Sequence, residues 1–182
     1  YPAHPRSAQA YFLRGDARLG LSNWGSAIED YTTYVSFRPG LIDSFVYERI
    51  GDAYFELGMS VQGIEAYNQA LTADRPVLRQ LVLREKYAQI LRNLSHYDEA
   101  IAQYQAILGI AELPGYRATI DYRIAVTFFE AGNIDAYYEQ LAYVFMTYPE
   151  SDEALDALRA LLQAETPVDQ YQRGVVNFNQ GQ

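Results

Sequence analysis

The chain has 182 residues, 49% of them hydrophobic, with a net charge of −9 and no cysteine. The length admits a sizeable core. The acidity argues against nucleic acid, which is held by Lys and Arg neutralising phosphates, and against an electrostatic hold on anionic lipid. The missing cysteines exclude disulfides and thiolate metal sites, and no apolar run approaches the roughly 18 residues of a spanning helix.

In chain order, the pattern predicts helices in pairs. The first runs from an N-cap at Ser7 to about Leu21, and its partner from Asn23 to Phe37. Arg38-Pro39-Gly40 breaks the second, since proline cannot continue a helix and glycine suits the turn. Asp43 or Ser44 is expected to cap a helix ending at Leu57, with Gly58 as terminator. Val61 to Ala73 returns. Val77 to Leu94 and His96 to Gly109 form the third pair, closed by Glu112-Leu-Pro114-Gly115. Tyr116 to Ala131 and Ile134 to Thr147 form the fourth, hinged at Gly132. A ninth helix follows Ser151 and a tenth follows Val168.

Three columns of residues recur along these pairs. Small residues stand at Gly15, Gly51, Ala88 and Ala125, at steps of 36, 37 and 37. A second column reads Ala27, Gly63, Ala100 and Tyr137, and a third Tyr31, Tyr67, Tyr104 and Leu141. Self-similarity at such a period signals stacked helical hairpins. Helix axes closer than about 8–10 Å need side chains little larger than hydrogen or methyl at the contact. The fourth unit breaks the rule at Tyr137. A ring forced into that contact would cost about 1–3 kcal/mol, so a wider hairpin is expected there, with Ala136 taking the close contact.

These columns resemble the tetratricopeptide repeat. The likeness is carried by Gly15, Ala27, Tyr31 and Pro39, by Gly51, Tyr54, Gly63, Tyr67 and Ala70, and by Ala88, Leu91, Tyr97, Ala100 and Tyr104. It implies an all-α, right-handed superhelix, with repeats at about 8–40, 44–76, 81–114 and 118–149 and extra helices at 151–164 and 168–180. Each unit is slightly longer than the family's usual length of about thirty-four. Tyr1-Pro2 repeats Tyr148-Pro149, so the chain is expected to be a middle slice of a longer protein.

Such an array implies a non-catalytic scaffold whose first helices line a concave face. That face takes Gln9, Phe12, Asp16 and Leu19 from the first unit and Phe45, Glu48, Asp52 and Phe55 from the second. It continues with Val82, Glu85, Gln89 and Arg92, then with Thr119, Tyr122, Val126 and Phe129. Apolar side chains beside carboxylates suit a segment of another protein. In the same family, domains that hold acidic chaperone tails use Lys and Asn in this groove. Here Phe12, Asp16, Arg49 and Val82 stand at four of the positions and only Lys86 keeps a likeness, so that role is set aside; an acidic groove repels an acidic tail.

No cofactor, metal or catalytic constellation is legible. His4 and His96 lie in different units, without metal-ligand spacing. No phosphate loop, G-x-S-x-G or H-E-x-x-H occurs. Acidic pairs such as Asp98-Glu99 and Asp152-Glu153 sit in first turns, where they favour the helix dipole. Seventeen tyrosines fall largely on core columns, where each buried hydroxyl needs a partner.

Segments 38–54 and 167–182 also resemble the helical region preceding the catalytic domain of bacterial lytic transglycosylases. This implies, as the alternative function, an accessory superhelix in the cell envelope that contacts peptidoglycan or another envelope protein. Segment 148–155 resembles a phrase of envelope-assembly lipoproteins. A cytoplasmic scaffold is the competing location. Glu150-Ser151 matches the family's catalytic pair in letters only, because it stands in a linker without the surrounding motif.

Overall fold

The computed structural model describes residues 5–179 and 181. Among them are ten helices and no strand. The helices are α1 (Pro5–Gly20), α2 (Trp24–Phe37), α3 (Asp43–Glu56), α4 (Ser60–Thr72), α5 (Val77–Asn93), α6 (Tyr97–Leu108), α7 (Pro114–Glu130), α8 (Ile134–Thr147), α9 (Asp152–Gln163) and α10 (Gln170–Asn179). The expectations for Tyr1-Pro2 and His4 lie outside the described residues. The chain divides between Leu83 and Arg84 into two compact units.

One turn geometry closes every hairpin. Ser22, Gly58, Ser95, Gly132 and Glu165 all have positive φ, between 56° and 77°. The N–H of each following residue reaches back to a carbonyl in the last turn: Asn23 to Arg18, Met59 to Tyr54, His96 to Leu91, Asn133 to Phe128 and Thr166 to Leu161, at 2.8–2.9 Å. This is the Schellman closure, which satisfies carbonyls the helix end leaves free. Gly58 and Gly132 were legible as terminators. Ser22, Ser95 and Glu165 were not, because L-residues rarely adopt this conformation. The same turn at Glu165 joins α9 to α10.

Two expected caps differ. α1 begins at Pro5, which suits a first helical position, so Ser7 lies inside the first turn. α3 is preceded by Ile42. Asp43 instead accepts the Gly40 N–H at 2.8 Å, tying the connection to the helix. Ser44 is buried and donates to the Ala70 carbonyl at 2.7 Å, pinning α3 to the end of α4.

In unit 1 the core gathers Ala8, Ala27, Ile28, Tyr31, Tyr34, Val46 and Ile50, with Ala53 and Ala66. The small columns lie where the helices cross. A Cβ on Gly15 would stand 2.8 Å from Tyr31 Cε1, and one on Gly63 would stand 2.7 Å from the Phe55 ring. In unit 2 one core cluster joins α7, α8, α9 and Val176 of α10. α7 and α8 pack together as the fourth hairpin. Ala136 is half-buried and does not take the buried place that Ala27 and Ala100 hold. Tyr137 lies against Phe129, ring centroids 5.1 Å apart, and Phe129 is 56% exposed.

Candidate interaction face

The first-helix faces are largely engaged by the protein's own side chains. In unit 1 the Tyr31 hydroxyl donates to Asp16 at 2.5 Å, and the Tyr67 hydroxyl donates to Asp52 at 2.5 Å. Both pairs span fifteen residues and clasp a return helix to its first helix. Burial, followed by the carboxylate bond, pushes the Tyr31 hydroxyl well above its ordinary pKa. Burial, followed by the Asp52 charge, does the same for Tyr67. At the matching places stand Gln89 with Tyr104 and Val126 with Leu141; neither pair has a carboxylate, and the Tyr104 hydroxyl instead bonds Arg92 of α5.

Arginines neutralise most of the remaining acids. Arg49 Nε lies 2.9 Å from Asp16, and its guanidinium covers the Phe12 ring, 5.5 Å from the centroid. Arg75 pairs with Glu48 at 2.5 Å and covers Phe45 at 4.2 Å. In unit 2, Glu85 accepts from both Tyr116 and Arg123. Arg92 grips Glu130 with two nitrogens, at 2.9 and 2.5 Å. The Glu130 bond, outweighing desolvation, holds the Arg92 guanidinium charged more firmly than usual. Arg49, Lys86 and Arg123 form a basic column at a constant step of 37.

These contacts revise the predicted face. Phe12 is half-buried between Tyr31 and Tyr34, with centroids 5.9 and 5.4 Å away. Leu19 packs against the unit 1 core. Phe55 sits at the α3–α4 crossing beside Tyr67. Asp16, Glu48, Asp52, Glu85 and Arg92 are tied as above. Gln89 is exposed and bonds Asn93 at 3.0 Å. Tyr122 is half-buried against the unit 2 core, Val126 is half-buried, and Phe129 alone of the predicted aromatics is open to solvent. Thr119 donates to Glu153 at 2.6 Å. The carboxylates of this strip are thus largely ion-paired or clasped by tyrosine.

What the sequence reading missed is a hollow of about 340 Å³ in unit 1. α1 contributes Gln9, Phe12 and Leu13, α2 contributes Tyr34 and Arg38, and the α2–α3 connection contributes Leu41 and Ile42. Leu13 and Leu41 are each 65% exposed. Arg38 forms no ion pair among the described residues. Burial raises the Tyr34 hydroxyl pKa, so it stays a neutral donor. The signal was present in the column just described: Leu13 stands in register with Arg49, Lys86 and Arg123, the one apolar residue among bases.

Among the described residues no group of three or more His, Asp or Glu side chains converges as a metal site would. No described helix is long and apolar enough to cross a membrane. His96 pairs with Glu99 at 3.1 Å on the surface. Glu150 is exposed, and the Ser151 hydroxyl accepts the Ala154 N–H at 3.1 Å, capping α9.

Residues 46–76 match the family model described as the tetratricopeptide repeat. The match covers most of α3 and all of α4, the hairpin with glycine on both sides of the crossing. No curated protein sequence matches the chain. Among solved structures, MamA is similar at 17% identity, over 88% of this chain and 84% of that one, with a TM-score of 0.59. The C-terminal part of a TPR repeat-containing protein from Cytophaga hutchinsonii is similar at 17% identity over 79% of this chain and 54% of its own length, with a TM-score of 0.58. YrrB, a TPR protein with an unusual peptide-binding site, is similar at 21% identity over 85% of this chain and 74% of that one, with a TM-score of 0.56. At such identities the likeness concerns the fold. The fold is all-α and of the tetratricopeptide kind, built from successive helical hairpins.

Proposed function

We propose that this chain is a non-catalytic protein-interaction scaffold that takes hold of a partner's peptide segment at the unit 1 hollow. The observation carrying this reading is an apolar depression, about 340 Å³ in volume, in a unit whose first-helix acids Asp16, Glu48 and Asp52 are taken up by internal bonds. Peptide pockets are concave, mostly apolar and furnished with a few polar groups that fix orientation. Phe12 and Ile42 supply the floor, Leu13 and Leu41 the exposed walls, and Gln9, Tyr34 and Arg38 the polar groups. The peptide-binding site that names YrrB supports a peptide as the ligand class.

Leu13→Asp with Leu41→Asp tests the reading, because both side chains are mainly in water and their loss leaves the core intact. Peptides selected against the full 182-residue chain are expected to lose about tenfold or more in affinity for the double variant, the scale of one buried aliphatic anchor. Far-UV circular dichroism is expected to stay unchanged. Equal binding by wild type and variant would remove the hollow as the site.

A further inference from the structure

The charge at the hollow identifies its partner more narrowly. Of its lining residues only Arg38 carries a charge, and it has no acidic partner among the described residues. The nearby Asp43 does not reach it: one carboxylate oxygen accepts the Gly40 N–H at 2.8 Å, and the other is buried with no hydrogen-bond partner among the described residues. The remaining cation beside the hollow, Arg49, lies over Phe12 and is balanced by Asp16. An apolar cavity with one unbalanced guanidinium complements an apolar side chain with one carboxylate close by.

Resting on the peptide-binding reading above, we infer that the partner is an internal segment of another protein in which a leucine-, isoleucine- or phenylalanine-sized residue stands within two positions of an aspartate or glutamate. The apolar side chain enters between Leu13 and Leu41, and the carboxylate accepts from Arg38, with the Gln9 amide at the rim. A chain terminus, whose carboxylate shares its residue with the anchor, is the alternative that the test below separates from an internal segment. The overall acidity of the protein does not oppose this, since the acids on the unit 1 face are already bound to arginine or tyrosine and none lines the hollow.

The test uses the full chain and a library of short random segments displayed between fixed carrier sequences, so that no free carboxyl terminus is present. Enriched segments are expected to pair an aliphatic or aromatic residue with Asp or Glu. In an end-blocked synthetic peptide, Glu→Gln is expected to weaken binding about two- to fivefold, the scale of a partly exposed charge pair. Arg38→Gln on the protein should give the same loss, and the two changes together little more than either alone. Full affinity for the Gln peptide or for the Arg38→Gln variant, with binding still abolished by Leu13→Asp, would overturn the acidic partner and leave apolar anchoring standing. Enrichment only when a free carboxyl terminus is restored would overturn the internal segment. Binding indifferent to Leu13→Asp and Leu41→Asp would remove the hollow and this inference together.

Discussion

A methyl group added at Gly51 would run into the Tyr67 ring and stand 3.3 Å from the Gly63 carbonyl oxygen. Neither can move freely: Tyr67 is held to Asp52, and Gly63 is backbone in the facing helix. Gly51→Ala is therefore expected to destabilise by about 1–3 kcal/mol in urea unfolding. Gly25→Ala is the control, because a Cβ there meets nothing within 4 Å, and helix propensity alone predicts no loss and up to about 1 kcal/mol of gain. Equal effects at the two positions would mean the crossing is looser than described. Asp30 gives a residue-level prediction of a different kind. It is 2% exposed, and Arg14 grips it at 2.8 and 2.5 Å while Arg18 adds a third bond at 2.8 Å. The Arg14 bond, acting against desolvation, holds its carboxyl below the usual aspartate range. A depressed pKa stabilises the fold above the unfolded value, near 3.9, and that contribution disappears as pH falls through the folded value. Asp30→Asn is expected to cost about 1–3 kcal/mol at pH 7. The gap to wild type should close on acidification below about pH 4; a gap constant with pH would deny Asp30 its charge role.

At the scale of helices and hairpins, the tyrosine clasp does what helix propensity does not. It fixes the rotation of one helix against the other, because a 2.5 Å bond from Tyr67 to Asp52 tolerates little slip along the crossing. Tyr67→Phe is expected to cost about 0.5–1.5 kcal/mol at neutral pH, the net worth of one hydrogen bond. Its alkaline behaviour is more telling. A tyrosine whose folded pKa is raised stabilises fully below the unfolded value, about 10, and loses that contribution as pH climbs. Wild-type stability should therefore fall between about pH 10 and 12, and the fall should be shallower in Tyr67→Phe. Parallel pH profiles would show that the hydroxyl ionises as easily in the folded protein as in the unfolded one. The requirement for a hydroxyl partner was legible in the sequence; the partner's identity was not, because it lies fifteen residues away on the other helix of the pair. The hairpins themselves were legible because a helix crossing leaves a local trace, a small residue at a fixed step. The arginine pairs and the Leu13 hollow were not, since each depends on side chains from separate helices meeting in space. Tyr137 shows where a residue type was legible and its accommodation was not: its ring lies against the exposed Phe129, and Ala136, the expected close contact, is only half-buried.

For the molecule as a whole, cooperativity is set by how far each contact reaches. The helix pairs that touch within each unit are mostly neighbours in sequence, α1 with α2, α2 with α3, α3 with α4, and later α7 with α8 and α8 with α9. In such arrays stability is close to a sum of hairpin and nearest-neighbour terms, and one all-or-none transition is not required. The sequence supplies a natural probe, since its single tryptophan, Trp24, packs against the unit 1 core. Trp24 fluorescence follows unit 1, whereas far-UV circular dichroism follows all ten helices. Urea unfolding is therefore expected to give non-coincident curves, with the dichroism transition broader than the fluorescence transition and its apparent m-value lower. Gly51→Ala extends the test, because the crossing it disturbs lies in unit 1: it should move the fluorescence midpoint fully and the dichroism curve only in part. Curves that superimpose in wild type and shift together in Gly51→Ala would mean that the chain unfolds as one block, and that stability is not divided along the helices as the contacts imply.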